Sequence, residues 1–177
     1  MISVRVKANK SPLGALRSLP KDLRMAVLNA HRSAVSELKK LAVSETVQKY
    51  YLTRGQITKT MTTIPGGFKV SSGMLSLDKY KLTPKTPRRK YSLMGAVRKD
   101  SGLKPLGSNA FLMRLPSGKY KPAMRKGRAR LPVKVITGPS IAQAVGNDET
   151  GELLQERAEE LFTNKINEYL SRMGVIR

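Results

Sequence analysis

Four glutamates near the C-terminus form the densest group of side chains that could act as general acids or bases. They are Glu152, Glu156, Glu159 and Glu160. Carboxylates can exchange protons with a substrate when they are positioned around it. Their spacing, however, places all four on the polar face of an amphipathic helix, which is far more often solvated or paired with a partner than catalytic. We therefore interpret them as candidate subunit contacts and predict no catalytic residue.

The other residues that could do chemistry are isolated from one another. His31 is the only histidine, it lies beside the apolar stripe of a predicted helix, and no acid or nucleophile is readable near it. The absence of cysteine excludes thiolate metal sites, disulfides and a cysteine nucleophile. Gly66 and Gly67 lack the following Lys-Ser/Thr of a phosphate-binding loop. We predict a protein that is not an enzyme and has neither a metal site nor a cofactor site.

Two basic clusters are stronger binding signals. They contain Arg88, Arg89 and Lys90 in the first, and Arg125, Lys126, Arg128 and Arg130 in the second. Such clusters can contact nucleic-acid phosphates, and Tyr80, Tyr91 and Tyr120 lie near enough in the sequence to stack on bases. The same clusters can instead contact acidic patches on neighbouring protein subunits. No helix-turn-helix, zinc module or RNA-recognition motif can be read, so both alternatives stay open at this point.

The charge is distributed unevenly along the chain. Residues 54–134 contain 20 Lys and Arg against two acids, a balance of +18 out of the formal net charge of +22. Seven of the twelve acids lie between Asp148 and Glu168. A basic middle and an acidic end govern association and solubility, not fold. They favour a protein that contacts other surfaces.

Length and hydropathy set further bounds. A chain of 177 residues is about one domain, so we treat 1–177 as a single α+β unit. No apolar run approaches the roughly 20 residues that cross a bilayer, so we expect no membrane contact. The first residues lack the apolar core of a signal peptide, and we expect synthesis and retention in a cytoplasm.

Apolar residues at three- and four-residue steps predict a long first helix. It opens near Leu19, with Pro20 in its first turn, and runs to about Leu41 or on towards Tyr50. Its alanines would allow a second element to approach closely. They are Ala26, Ala30 and Ala34.

Two further helices are indicated. Thr53 and Gln56 form a capping-box pattern that starts a short helix. Near the C-terminus, the apolar positions from Leu154 to Met173 lie opposite the four glutamates, and Gly174 is a suitable residue to end that helix.

Alternating apolar residues predict the strands. They cover Ile2 to Val6, Phe68 to Val70, Leu75 to Leu77, Phe111 to Leu115, Tyr120 to Arg125 and Leu131 to Val135. Pro122 cannot donate a ladder hydrogen bond, so we place its strand at an edge or a bulge. Gly138, Pro139 and Ser140 are expected to break the last strand.

A segment at about 83–109 loses periodicity and collects prolines and glycines, so we predict a long basic loop there. The resulting fold class is α+β. A mostly antiparallel sheet packs against the long N-terminal helix and the amphipathic C-terminal helix.

An ordered set of short motifs resembles the minor tail protein Z family of tailed bacteriophages, also called tail-completion proteins. The motifs are Asn109-Ala110-Phe111-Leu112-Met113, Pro116-Ser117-Gly118, Met124-Arg125-Lys126-Gly127, Arg130-Leu131-Pro132-Val133 and Gly138-Pro139-Ser140, followed by a terminal amphipathic helix. The resemblance extends over about the whole chain and is strongest from Ala110 to Ser140.

This resemblance implies a structural virion protein at the head-proximal end of the tail, which completes the tail and enables head–tail joining. The implied partners are the tail terminator, the tail tube, the head connector and copies of the chain in a ring, expected to be hexameric. It implies a virion location in the tail or neck, reached from the host cytoplasm during assembly. It implies a scaffold role for Ala110, Phe111, Leu131, Pro132, Gly138, Pro139 and Ser140, and contact roles for Arg125, Arg128 and Arg130.

Overall fold

The fold is that of a computed structural model, which describes residues 2–5, 20–64, 67–125, 127 and 129–173. The predicted α+β class is confirmed, with a long N-terminal helix, a long C-terminal helix and antiparallel strands. The helices are α1 (Lys21–Lys49), α2 (Arg54–Thr58), α3 (Ile141–Val145) and α4 (Asp148–Arg172), with a 3-10 turn at Leu77–Lys79. The strands are β1 (Ile2–Arg5), β2 (Met61–Ile64), β3 (Gly67–Val70), β4 (Met74–Ser76), β5 (Lys81–Thr83), β6 (Met94–Ala96), β7 (Lys104–Pro105), β8 (Ala110–Arg114), β9 (Tyr120–Arg125), β10 (Val133–Val135) and β11 (Thr137–Ser140).

Helices α1 and α4 pack side by side in antiparallel directions. Glu37 Oε1 of α1 lies 3.0 Å from Lys165 Nζ of α4, and nearer the other end Lys49 Nζ lies 3.0 Å from Glu149 Oε2. The alanines of α1 that were predicted to allow close approach are buried. Pro20 precedes α1 as its N-terminal cap residue. Its fixed φ and missing N–H suit a helix start, because the first N–H groups have no intrahelical acceptor.

The strands form four small antiparallel sheets rather than one large sheet. Their orders are β1-β3-β2, β5-β6-β7, β10-β9-β8 and β11-β4. The predicted N-terminal strand is observed as β1, and Val6 lies outside the described residues, as does Gly174, the predicted end of α4. Met173, assigned to the apolar face of α4, is instead exposed.

The hydrophobic core joins the helices to the sheets. Its largest fully buried side chains include Leu38 of α1, Ile57 of α2, Phe68 of β3 and Leu154 of α4. Helix α3 was not predicted, yet its apolar side chains all enter the core. They are Ile141, Ala142, Ala144 and Val145.

The predicted long loop at 83–109 is only partly a loop. Strands β6 and β7 lie inside it, and β6 pairs with β5 on one side and β7 on the other. Leu93 just before β6 is almost completely buried. A Cβ on Gly95 would lie 2.9 Å from Leu77 Cδ2, so a larger residue there would have to displace the Leu77 side chain. Strands of two or three residues are too short to show the alternation that prediction depends on.

The edge position predicted for Pro122 is wrong. Its strand β9 is central, between β8 and β10. The β9–β10 pairing ends at Ala123 and Val135, so the missing N–H of Pro122 falls just beyond the ladder. There the Ile136 N–H donates to the Pro122 carbonyl at 2.9 Å, and the Ile136 carbonyl accepts from the Leu77 N–H at 3.0 Å. A residue other than proline at position 122 would donate its N–H to the Ile136 carbonyl. That carbonyl already accepts a hydrogen bond from Leu77, so proline leaves no acceptor unsatisfied.

The segment from Leu131 to Ser140 also differs from the prediction. Gly138, Pro139 and Ser140 do not break the structure but belong to β11, which pairs with β4. Strand β10 begins at Val133, and Leu131 before it is 71% exposed. The scaffold role implied for Leu131 is therefore not supported by burial in the core.

Candidate docking surfaces

The β8-β9-β10 sheet carries apolar side chains on both of its faces. Register places Leu112 and Pro122 together on one face, and both are buried on the side of the core. The opposite face, which we call the outer face, holds half-exposed apolar side chains around the buried Ala123. They are Phe111, Met113, Val133 and Val135. None of these four belongs to the core cluster or packs against it.

Two cations share the outer face with these apolar side chains. Lys121 and Arg125 alternate in phase with Ala123 along β9, so all three point to the same side of the sheet. The Arg125 guanidinium carbon lies 5.4 Å from the centre of the Phe111 ring, within cation–π range. Arg125 is exposed, as a predicted contact residue should be. Arg130 is exposed as well, whereas Lys126 and Arg128 lie outside the described residues.

The basic cluster of Arg88, Arg89 and Lys90 lies next to this sheet. Arg88, Arg89 and Lys90 are exposed and belong to neither a helix nor a strand. One residue later, the Tyr91 hydroxyl accepts the Leu112 N–H at 3.0 Å. Because β8 is an edge strand, this bond fastens the basic segment to the open edge of the sheet.

The tyrosines proposed for base stacking are committed to the fold. Tyr80 is buried and its hydroxyl donates to the Pro139 carbonyl at 2.6 Å. Burial, with a smaller effect from the nearby Tyr50, raises the pKa of Tyr80 to about 12. Tyr91 and Tyr120 are half-buried and pack against the core cluster. This burial and packing count against the predicted stacking role, and Phe111 is the aromatic residue of the outer face.

The cations of this region have no acidic partners among the described residues, which include all twelve acids of the chain. They are Arg88, Arg89, Lys90, Arg114, Lys119, Lys121, Arg125, Arg130 and Lys134. The ion pairs that do form involve other cations, such as Lys49, Arg98 and Lys165. A concentration of unpaired charge raises the local potential and attracts an oppositely charged surface.

The acids of α4 divide into paired and unpaired groups. Glu160 pairs with Arg157, beside a groove of about 570 Å³ between α1 and α4. A hydrogen bond from Lys165 lowers the pKa of Glu168, and one from Lys49 lowers the pKa of Glu149. The remaining predicted contact acids are exposed and take part in no ion pair within the described part of the chain. They are Glu152, Glu156 and Glu159, here called the acidic stripe.

His31 occupies the position that its spacing predicted, at the edge of the apolar stripe of α1. Its ring is half-buried and meets the Phe162 ring edge to face, with the centroids 5.9 Å apart. Desolvation by this burial lowers the pKa of the imidazole.

Sequence reasoning missed the apolar outer face. A signal for it exists, because Phe111, Leu112 and Met113 form a continuous apolar run. Continuous runs are typical of strands whose two faces are both buried. In the described structure only one face of β8 meets the core, so the run indicates that the outer face is a second contact surface.

Comparison of the chain with protein-family models, with curated proteins and with solved structures finds no match. Among the helices of the described residues, none combines the length and the apolar character needed to cross a bilayer.

Proposed function

We propose that this protein is a structural assembly subunit that acts by docking to other protein surfaces, without catalytic turnover. The observation that carries the proposal is the separation of unpaired charge on one chain. Unpaired cations lie on and around the β8-β9-β10 sheet, and unpaired acids form the stripe on α4. Exposed like charges repel one another in a free monomer. This repulsion is relieved when a surface of opposite charge covers them.

Two different complementary surfaces on one chain suit head-to-tail assembly. Such heterologous contacts, in which one patch meets a different patch on the next copy, generate a closed ring when the rotation closes. Electrostatic matching then contributes chiefly to specificity and association rate. Apolar contacts such as those available on the outer face contribute most of the affinity.

The setting we propose is the head-proximal end of a bacteriophage tail. The ordered motifs from Ala110 to Ser140 support it, because they resemble the tail-completion family. The protein would form a ring, expected to be hexameric, and contact the tail terminator, tail tube and head connector. It would act in the virion after assembly in the host cytoplasm.

Deletion of the gene tests this proposal. The expected result is complete heads and tails that do not join, counted by electron microscopy of the lysate. Supplying the intact gene in trans should restore joined particles, which controls for effects on neighbouring genes. Normal infectious particles from the deletion would contradict the proposal.

Nucleic-acid binding is the second candidate function. Unpaired cations together with Phe111 on an open sheet face favour it, since aromatic and cationic side chains bind single strands. The burial of Tyr80 and the packing of Tyr91 and Tyr120 count against it. We therefore rank protein docking first.

A further inference from the structure

The outer face of the β8-β9-β10 sheet has the composition of an interface centre. Phe111, Met113 and the two valines of β10 are apolar and half-exposed, and Lys121 and Arg125 flank them on β9. Aromatic residues, methionine and arginine are enriched in protein interfaces. None of these four apolar side chains packs against the core cluster of the described structure. It differs from the basic segment Arg88–Lys90, which has charge but exposes no large apolar side chain.

The acidic stripe of α4 complements this face in sign, spacing and polarity. Glu152 and Glu159 are seven residues apart, or about 10 Å along the helix axis. Lys121 and Arg125 are four residues apart on a strand, or about 13 Å. Flexible side chains can span that small difference.

Apolar contact is available on α4 as well. Leu153 borders the acidic stripe, is half-buried, and is not among the side chains packed against the core cluster. The methylene groups of Glu152 and Glu156 can also cover apolar atoms while their carboxylates reach the cations. The helix face can therefore shield Phe111 and Met113 from water.

We propose that the outer face of the β8-β9-β10 sheet is the docking site for α4 of a second copy of this chain. The inference rests on the proposed function for its premise that copies assemble, and it names the two surfaces that meet. Each copy offers one sheet and one helix, so the contact repeats from copy to copy. Both surfaces are then covered when the ring closes.

Reciprocal charge reversal tests the contact. Variant S carries Lys121→Glu and Arg125→Glu on the sheet, and variant H carries Glu152→Lys and Glu156→Lys on the helix. Each variant alone opposes like charges, and we expect its self-association to weaken by about tenfold or more. An equimolar mixture of S and H presents only opposite charges at every contact, so it should assemble. A single chain with all four changes should assemble as well.

Oligomer mass in sedimentation velocity is the measurement, with circular dichroism to confirm that each variant is folded. The matched control carries Arg88→Glu and Arg89→Glu, which change the net charge as much as variant S does. This control should assemble like the unmodified chain. Loss of assembly in the control equal to that in variant S would show an effect of overall charge and overturn the proposal.

A second measurement uses the absence of cysteine in the natural chain. A variant with Met113→Cys and Gln155→Cys carries its only thiols on the two proposed surfaces. A flexible bismaleimide should link it into a ladder of covalent multimers. A mixture of the two single-cysteine variants should stop at dimers, and either single-cysteine variant alone should remain largely unlinked.

The possible outcomes separate this inference from the proposed function. An unmodified chain that stays monomeric at all concentrations overturns the α4-to-sheet contact, while failure of head–tail joining in the gene deletion would still support an assembly role. Assembly that the S and H mixture does not restore overturns the contact as well. Binding of single-stranded DNA that variant S alone abolishes, without any change in oligomer mass, would assign the outer face to nucleic acid instead.

Discussion

At the scale of single residues, the contact between Gly138 and Tyr80 shows how one missing side chain fixes a strand. A Cβ on Gly138 would lie 2.8 Å from Cε2 of the Tyr80 ring. That ring is buried and its hydroxyl is held by the Pro139 carbonyl, so it cannot move aside freely. The glycine thus allows β11 to lie directly on the ring.

We predict that Gly138→Ala lowers the free energy of unfolding by about 1–3 kcal/mol, because the added methyl overpacks the site. Urea denaturation measures this change. Gly73→Ala is the control, since nothing lies within 4 Å of a Cβ there, and it should change stability by less than about 0.5 kcal/mol. Equal effects of the two substitutions would contradict the role assigned to Tyr80.

His31 makes stability depend on pH. Burial against Phe162 lowers its folded-state pKa below the usual 6.5 of a histidine, so the folded protein binds fewer protons than the unfolded chain as pH falls through this range. The contribution of the neutral imidazole to folding stability is complete above the pKa of the unfolded chain. It is lost as pH falls from that value towards the pKa of the folded state. Unfolding free energies at about pH 7.5 and about pH 5.5 should show this loss. His31→Gln should make the dependence shallower, and an unchanged dependence would contradict the assignment, because the chain has no other histidine.

At the scale of elements, α3 is a five-residue helix that depends on its cap and its burial. The Ser140 hydroxyl accepts the Gln143 N–H at 3.1 Å, and the Gln143 side chain accepts the Ser140 N–H at 2.8 Å. So short a helix is not stable alone, and most of its stability comes from packing. Its apolar side chains fill the core between the sheets and the long helices.

Ser140→Ala should destabilise the protein by about 0.5–2 kcal/mol, since it removes the acceptor for an N–H at the start of α3. Thermal and urea unfolding measure the loss. Ser140→Thr keeps the hydroxyl and should recover most of the stability. If the alanine variant were as stable as the unmodified chain, the cap would contribute nothing to this helix.

At the scale of the whole molecule, charge is separated between the sheet region and α4. The net charge of +22 predicts nonspecific attraction to any polyanion, with an affinity that falls steeply as salt increases. This long-range attraction must be distinguished from a specific contact. Phe111 on the outer face allows the two to be distinguished, because a base bound there would stack directly on its ring.

We expect single-stranded DNA binding to weaken strongly with added salt and Phe111→Leu to change the affinity by less than about twofold, because protein docking does not require a stacked base. Fluorescence anisotropy over a salt series measures both effects. Variant S serves as a positive control, since removing phosphate-binding cations should reduce the salt slope. A loss of about tenfold or more on Phe111→Leu would favour nucleic-acid binding over docking.

Much of the architecture could be predicted because its signals are local. The three-to-four residue spacing of α1 and α4 and the capping box at Thr53 all follow from neighbouring residues, and the structure contains each of them. A similar capping box is present at Ser140, but the preceding Gly138 and Pro139 favour the prediction of a break there. The exposure of the acidic stripe also followed from helix periodicity.

The two long helices and the division of charge follow from the sequence alone, because both depend on residues close together in the chain. Tertiary packing sets which face of the β8-β9-β10 sheet meets the core, how β5, β6 and β7 pair, and which tyrosines pack into the core. Strand pairing and burial join residues that are far apart in sequence. Pro122 is the clearest example, since its place in a central strand depends on a hydrogen bond that Leu77 supplies from 45 positions away.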